Sequence, residues 1–147
     1  MNLDETDTKI LKHLLVDARQ SSRQLAYKLG ISTVTMISRL RKLKEKKIIQ
    51  GYSARLDHEI LGYDTTAIIE VTTINGKMLE IEGRIAGNEN VCAVYDVTGH
   101  ADILLIGKFK NRNSLSDFVK NLSAMSNVEN TVTHIALNTI KENFRLL

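Results

Sequence analysis

The feature that most constrains the fold is a gap of three residues, Gly30-Ile31-Ser32, between two stretches with helical patterning. Before the gap, Ser21 followed by Gln24 forms a capping-box pattern and predicts a helix of about eight residues that ends at Gly30. After the gap, Ser32 can cap a longer helix. Two helices joined by so short a turn cannot pack as an antiparallel pair. They must cross steeply, which is typical of a helix-turn-helix.

A further helix precedes this pair and supplies part of their core. Its apolar residues recur at helical spacing, and they are Leu3, Ile10, Leu11, Leu14 and Leu15. Asp4 and Asp7 lie where acidic side chains favour a helix N-terminus. In the last of the three helices, Met36, Leu40 and Leu43 form the stripe that is expected to face this core.

Burial of that stripe turns a hydroxyl-rich and basic surface outward. Small hydroxyl groups at the start of the last helix can approach base edges and phosphates, and basic residues further along can reach the DNA backbone. The predicted DNA-contacting residues are Ser22, Ser32, Thr33, Thr35, Ile37, Ser38, Arg39, Arg41, Lys42 and Lys46. A generic three-helix bundle with a basic surface helix is the alternative to a DNA-binding domain.

The basic charge of the chain is concentrated in this half. Residues 1–62 hold 12 Lys and Arg against 7 Asp and Glu, whereas residues 63–147 hold 8 against 10. Residues 39–47 alone carry six basic residues and one acidic residue. This asymmetry fits a module for double-stranded DNA joined to a different kind of domain.

The connection between the halves has β character. Ile48 and Ile49 are expected to fold back on the helices as the start of a small strand, and residues through Gly62 link the halves. No Pro- or Ser-rich stretch is present, so we expect a hinge. The predicted domains are residues 3–64, a helix-turn-helix with a hinge strand, and residues 65–147.

From residue 65 the pattern becomes strand, helix, strand, and then repeats. The predicted strands are 65–73, 91–98, 101–109 and 128–140. The predicted helices are 77–87, with Met78, Ile81 and Ile85 on one face, and 114–125, behind a Ser114/Asp117 cap. Two such halves predict a ferredoxin-like fold with four antiparallel strands and both helices on one face. The chain as a whole is therefore expected to be of the α+β class.

The open face of this sheet predicts a homodimer. The second strand is expected to alternate, with Val91, Ala93, Tyr95 and Val97 on one side and Cys92, Val94 and Asp96 on the other. Neither side is wholly polar, and a half-apolar sheet face is usually covered, here most simply by a second copy of the chain. Cys92 is expected to be a small core residue.

The polar segment VTGHAD, residues 97–102, could be a catalytic pair, part of a metal site, a ligand-binding corner or a turn. No Ser or Cys motif completes a catalytic set with His100 and Asp102, and a metal site would need a further ligand from another subunit. We therefore expect a turn between the two halves, with no catalytic residues, no metal and no cofactor.

A membrane role is not expected. No apolar run approaches the length of a bilayer span, and the start of the chain lacks the basic and apolar regions of a signal peptide. The predicted location is the cytoplasm.

Taken together, these segments resemble the Lrp/AsnC family of transcriptional regulators (leucine-responsive/asparagine-regulator, or feast/famine), and within it a small archaeal-type member. The matching segments are LDETDTKILKHLLVDAR, LGIS before the helix that carries Arg39 and Leu43, IIQGY, and VTGHAD before a strand. The resemblance covers essentially the whole chain.

The resemblance implies a winged-type helix-turn-helix followed by a ferredoxin-like βαββαβ domain of the RAM type, which binds effector and oligomerises. It implies a recognition helix at Ser32–Lys46 and dimers that assemble into octamers or related rings. In many members a small amino acid binds between subunits, which implies effector contacts at Thr98, Gly99, His100, Asp102, Thr131 and Thr133.

The function implied is that of an oligomeric, sequence-specific DNA-binding regulator, with an effector-independent, DNA-organising protein of the same fold as the alternative. Five residues depart from the family pattern. Ala101 replaces a common aromatic residue and His100 a common acid or amide, Lys47 replaces a glycine after the third helix, and Ser126-Asn127 replaces Pro-Gly.

Overall fold

The structure is a computed structural model that describes residues 3–74 and 78–147, without the side chains of Met78 and Leu79. The chain divides into two compact units. The first runs to Arg55 and includes the distant segment Glu142–Leu147, and the second is Leu56–Lys141. The domains predicted from the sequence, 3–64 and 65–147, stay a prediction.

Three helices form the first unit, as the sequence predicts. They are α1 (Glu5–Val16), α2 (Ser22–Leu29) and α3 (Thr33–Glu45). The Asp4 carboxylate caps α1 by accepting the Asp7 N–H at 2.7 Å. Ser21 and Gln24 form the expected capping box, in which each side chain accepts the backbone N–H of the other residue.

The helices pack around one apolar core. Its buried side chains are Ile10, Leu11, Leu25, Ala26, Met36 and Leu43. Ile48 and Ile49 fold back onto this core, as predicted. The prediction that a strand begins there is wrong, because residues 46–64, all of them described, contain no strand. A lone extended segment has no neighbouring strand with which to share hydrogen bonds, so burial of the two isoleucines decides its path.

The end of α3 is a Schellman motif closed by a lysine. Lys47, directly after the C-cap residue Lys46, has φ 55° and is the only non-glycine residue with positive φ in the described part of the chain. Its N–H donates to the Lys44 carbonyl at 2.8 Å, and the Ile48 N–H donates to the Leu43 carbonyl at 2.9 Å. These are the two hydrogen bonds of that motif, and Leu43 and Ile48 share the core as its apolar contact.

The distant segment of the first unit contacts α1. The Arg145 guanidinium donates through Nη1 to the Leu15 carbonyl at 3.1 Å. Leu15 belongs to the last turn of α1, whose carbonyls lack partners within the helix. Arg145 therefore completes the C-terminus of α1, where a positive charge is also favoured by the helix dipole.

The second unit is ferredoxin-like, as predicted. Its elements are β1 (Thr65–Thr73), α4 (Met78–Ala86), β2 (Val91–Asp96), β3 (Ile103–Phe109), α5 (Arg112–Ser123) and β4 (Val128–Ile135). The strand order is β2-β3-β1-β4, and all neighbours are antiparallel. The whole chain is thus α+β, with a helix-turn-helix unit followed by a βαββαβ unit.

Both helices cover the same face of the sheet. Ala67, Ile69 and Val71 alternate along β1 and share a buried core with residues of α4 and α5. The helix residues of this core are Ile81, Ile85, Leu115 and Leu122. The prediction that Met78 lies on the buried face of α4 falls outside the described side chains.

Three predictions about side chains in this unit are wrong. The register of β2 against β3 shifts between Val91 and Ala93, which places Val91 on the helix side, away from Ala93 and Tyr95. Cys92, inside this bulge, is exposed and not a core residue. The cap of α5 is Asn111 with Ser114, because the helix begins two residues earlier than predicted.

The face of the sheet opposite the helices, here called the open face, keeps much apolar surface. Its side chains follow from the strand registers. The central ones are Ile68, Glu70, Ala93, Tyr95, Leu104, Ile106, Val132 and His134, and the polar residues Thr66, Thr72, Lys108 and Asn130 lie toward its ends. Tyr95 and Val132 are each 43% exposed. In the described part of the chain, no helix has the length and apolar character needed to cross a bilayer.

Candidate nucleic-acid interface and effector turn

The outward side of α3 is the candidate nucleic-acid interface. Thr33, Thr35, Arg41, Lys42 and Lys46 are exposed. The Met36 and Leu43 side chains anchor the opposite side of the helix in the core, and Leu40 is half-buried beside them. A helix held in this way presents its remaining sides to a ligand as one rigid surface.

The first turn of α3 is fixed by hydroxyl groups. Ser32 Oγ accepts the Thr35 N–H at 3.0 Å and lies 2.8 Å from Thr35 Oγ1. Both of these predicted DNA-contacting residues therefore make capping contacts within the protein. Thr33, the first residue of α3, is exposed, while Ser22 at the start of α2 and Ser38 in α3 are half-buried.

The basic side chains on this surface are only weakly paired with acidic groups of the protein. Arg41 makes a long ion pair, with Nε 3.7 Å from Glu45 Oε1, and both side chains are well exposed. Such a pair is weak in water, so Arg41 can exchange Glu45 for a phosphate at small cost. The surface near Arg41, Lys42 and Lys46 is suited to the sequence-independent attraction of the DNA backbone.

Arg39 differs from these residues because it joins α3 to the start of α1. Its Nη1 donates to Asp4 Oδ2 at 2.6 Å and to Asp7 Oδ1 at 2.7 Å. The hydrogen bonds that the Arg39 guanidinium donates to Asp4 and Asp7 raise its pKa. The pKa of Asp4 is lowered, first by the Asp7 backbone N–H and then by Arg39. These pairs border a groove of about 510 Å³ between α1 and α3.

The structure assigns Arg39 a contact that sequence reasoning did not identify. Its partners precede it by 35 and 32 residues, so no local pattern connects them. A role of Arg39 in contacting DNA stays a prediction.

Sequence reasoning also left out two exposed residues near this surface. Val34 in α3 is 78% exposed and Tyr27 in α2 is 89% exposed. The signal for Val34 was present, because it lies about 180° around the helix from Leu43. Its residue type gives the opposite indication, because an aliphatic residue in a helix is more often part of the core.

The polar turn between β2 and β3 is built around Gly99 and Asp102. Gly99 has φ 127°, a region that residues with a side chain rarely adopt. Asp102 Oδ2 accepts the Thr73 N–H at 2.6 Å and the Thr73 hydroxyl at 2.9 Å. These two hydrogen bonds, the backbone one first, lower the pKa of Asp102. Asp102 thus ties the turn to the end of β1.

The other predicted effector residues lie apart from this anchor. Thr98 and His100 are exposed in the turn. Thr131 and Thr133 are in β4, where the Thr131 hydroxyl lies 3.0 Å from the Ser123 hydroxyl of α5. Ile103 and Thr131 flank Val71 on opposite sides, so they are two strand spacings, about 10 Å, apart. The turn and the two threonines thus lie on opposite sides of β1 in the sheet.

No grouping of His, Cys, Asp or Glu with the geometry of a metal site occurs among residues 3–74 and 78–147. His100 and Asp102 are two residues apart, and the Asp102 carboxylate is engaged by Thr73 through Oδ2. The absence of a catalytic residue or cofactor stays a prediction.

Comparison with known proteins relates both units to described families. Residues 3–44 match the AsnC-type helix-turn-helix domain, and residues 66–146 match the Lrp/AsnC ligand binding domain. An uncharacterised HTH-type transcriptional regulator of Pyrococcus furiosus is 44% identical over 146 residues, which cover 99% of each chain. The HTH-type transcriptional regulator FL11 of Pyrococcus horikoshii is 35% identical over 144 residues, covering 98% of this chain and 95% of FL11.

A solved structure shares the fold along nearly the whole chain. It is a transcriptional regulator of Neisseria meningitidis in complex with L-methionine, with a TM-score of 0.90 and 27% sequence identity. The likeness covers 99% of this chain and 97% of that one.

Proposed function

Because this chain belongs to the Lrp/AsnC family of transcriptional regulators and carries a DNA-binding helix-turn-helix of the AsnC type, we propose that it is a sequence-specific regulator that acts as an oligomer and responds to a small amino acid. The observation that carries this proposal is α3, which follows a tight turn and presents hydroxyl, aliphatic and basic side chains outward. A helix of that kind fits the major groove of double-stranded DNA.

Salt-dependent DNA binding tests the proposal. The probe is a labelled duplex enriched by the wild-type protein from a pool with a randomised centre, measured against random duplex by fluorescence anisotropy. Neutralising both Arg41 and Lys42 with glutamine should weaken binding and reduce the magnitude of the slope of log K against log salt. The reduction should be about two for each copy of α3 on the DNA, and so about four for a dimer, since each phosphate contact contributes about 0.9.

The matched control neutralises one arginine and one lysine of the second unit, Arg112→Gln with Lys120→Gln, and should leave the slope unchanged. Both control residues are exposed and lie on α5. A wild-type protein that binds every duplex alike would contradict sequence specificity and favour the DNA-organising alternative.

The open face supports the proposal of an oligomer. Ile68, Leu104 and Ile106 form an apolar centre on adjacent strands, beside the exposed Tyr95 and Val132. Burial of apolar surface of this kind against a second identical face is favourable, and a two-fold contact buries the open faces of both copies. A dimer would also offer two copies of α3 to a palindromic site. Dimers assembling further, into octamers or similar rings, are part of the same proposal.

An amino acid effector is proposed at the turn, with a second subunit supplying part of the site. The Neisseria meningitidis regulator was solved with L-methionine bound. In this chain β1 separates the turn from the β4 threonines, and a neighbouring chain is proposed to complete the site. The Asp102 bonds to Thr73 favour the effector-independent alternative, because one carboxylate oxygen is already used within the chain.

Light scattering with and without each of the twenty amino acids tests the oligomer and the effector together. We expect at least a dimer without ligand, and a change in assembly or in thermal stability with one or a few amino acids. A monomer under all conditions would contradict the oligomer. A stable dimer that none of the twenty stabilises would favour the effector-independent regulator.

A further inference from the structure

The outward side of α3 carries two aliphatic side chains that the protein leaves uncovered. Val34 is 78% exposed and Ile37 is 53% exposed. Met36, which lies between them in the sequence, is completely buried. The helix is otherwise hydroxyl-rich and basic. Removing its exposed aliphatic surface from water is favourable, and this happens when a ligand covers that surface.

The two side chains belong to the same surface as the polar and basic residues. Ser38 follows Val34 by one turn, and Arg41 follows Ile37 by one turn. Apolar groups therefore occupy the first half of α3 and cationic groups the second half. This arrangement matches a ligand with an apolar feature beside anionic groups, rather than a wholly apolar protein surface.

Duplex DNA has one such feature in the major groove. The base edges there present hydrogen-bond donors, acceptors and, at thymine alone, the C5-methyl group. Val34 and Ile37 have no hydrogen-bonding groups in their side chains, so among these features they can read only the methyl group. The phosphates on either side of the groove are the partners for Arg41 and Lys42.

We propose that Val34 and Ile37 are specificity-determining residues that cover thymine C5-methyl groups and select thymine at the base pairs they face. This inference rests on the proposed function, since it requires α3 to enter the major groove. The hydroxyl groups of Thr33 and Ser38 and the cations of the second half then position the helix, while the aliphatic pair discriminates between bases.

Replacing thymine by uracil tests the proposal, because this change removes the methyl group and keeps every hydrogen-bonding group of the base. The duplexes enriched by the wild-type protein from a randomised pool are resynthesised with dTTP or with dUTP. The wild-type protein should bind the uracil form more weakly, by about fourfold for each methyl group covered. The double variant Val34→Ala/Ile37→Ala should bind both forms equally.

Val16→Ala is the matched control. Val16 is 84% exposed at the end of α1, so the control removes the same kind of side chain from another helix. It should keep the wild-type ratio between thymine and uracil duplexes. Alanine has the highest helix propensity, so the variants should retain the helical circular dichroism of the wild type.

Failure of this inference and failure of the proposed function give different results. Enriched duplexes that bind equally well with thymine and with uracil would overturn the inference and leave the function intact. The inference would also be overturned, and the function left intact, if the double variant kept the full wild-type ratio of affinities for thymine and uracil duplexes. Other side chains would then contact the methyl groups. If no sequence is enriched at all, sequence specificity fails and the inference fails with it.

Discussion

Lys47 holds a backbone conformation that glycine adopts more easily, and Lys47→Gly should stabilise the protein. Its φ of 55° lies in the left-handed region, where an L-residue costs roughly 1–2 kcal/mol. Glycine removes this cost but loses roughly 0.5–1 kcal/mol through the greater freedom of the unfolded chain. The net gain in the free energy of unfolding is about 1 kcal/mol, or a rise in Tm of about 2–4 °C for a chain of this size.

The controls separate backbone strain from charge. Lys47→Ala removes the same positive charge and keeps the β-carbon, so it should gain nothing from relief of strain. Lys47→Asn should fall between alanine and glycine, since asparagine tolerates the left-handed region. All three variants lose one cation close to α3 and should weaken DNA binding to a similar extent.

Urea unfolding followed by far-UV circular dichroism measures the effect, with all variants at one protein concentration and one ionic strength. The expected order of stability is Gly, then Asn, then Ala. Equal stability of the glycine and alanine variants would refute the reasoning, because the two differ at this position chiefly in the cost of the left-handed conformation. A glycine variant less stable than alanine would show that unfolded-state entropy dominates.

Two further changes test the second unit. Gly107→Ala should lower the free energy of unfolding, measured in urea, by about 1–3 kcal/mol. A β-carbon there would lie 2.8 Å from the buried Phe109 ring and 3.2 Å from the Asn90 carbonyl oxygen. A loss below about 0.5 kcal/mol would mean that the ring moves aside without strain. Asp102→Asn should be less stable than the wild type at pH 7, because the lowered pKa of Asp102 shows that folding favours its charged form. That difference should vanish as the pH falls below the ordinary value of 3.8 and through the lowered pKa, and a difference that persists in acid would contradict a role for the charge.

Local chemistry explains why most of the fold could be predicted from the sequence. The caps at Asp4, Ser21 and Ser32 involve residues within three positions of one another, and each is present in the structure. The order of strands and helices in the second unit follows from side-chain periodicity in the same way, although β3 begins at Ile103 and not at 101, and β4 ends at Ile135 and not at 140. Such features depend on few residues and are little affected by the rest of the chain.

The features that the sequence did not reveal depend on contacts between distant segments. The bulge at Cys92 exists only through the pairing of β2 with β3, and it reverses the side on which Val91 lies. Asp102 meets Thr73 across 29 residues. The strand expected after α3 is absent because strand formation needs a neighbouring strand, and the described part of the first unit, to which residues 46–55 belong, offers none.

The contact of Arg145 with the end of α1 makes the DNA-binding unit discontinuous along the chain. Residues 56–141 are translated between its two parts, so α1 to α3 emerge from the ribosome well before Arg145 can reach the Leu15 carbonyl. During synthesis the helices lack this contact until the segment that carries Arg145 has emerged. A change near Arg145, such as a purification tag, a fluorescent fusion or a protease cut, would therefore disturb the contact of Arg145 with α1. It would leave the sheet of the second unit in place, although that sheet directly precedes Arg145 in the sequence.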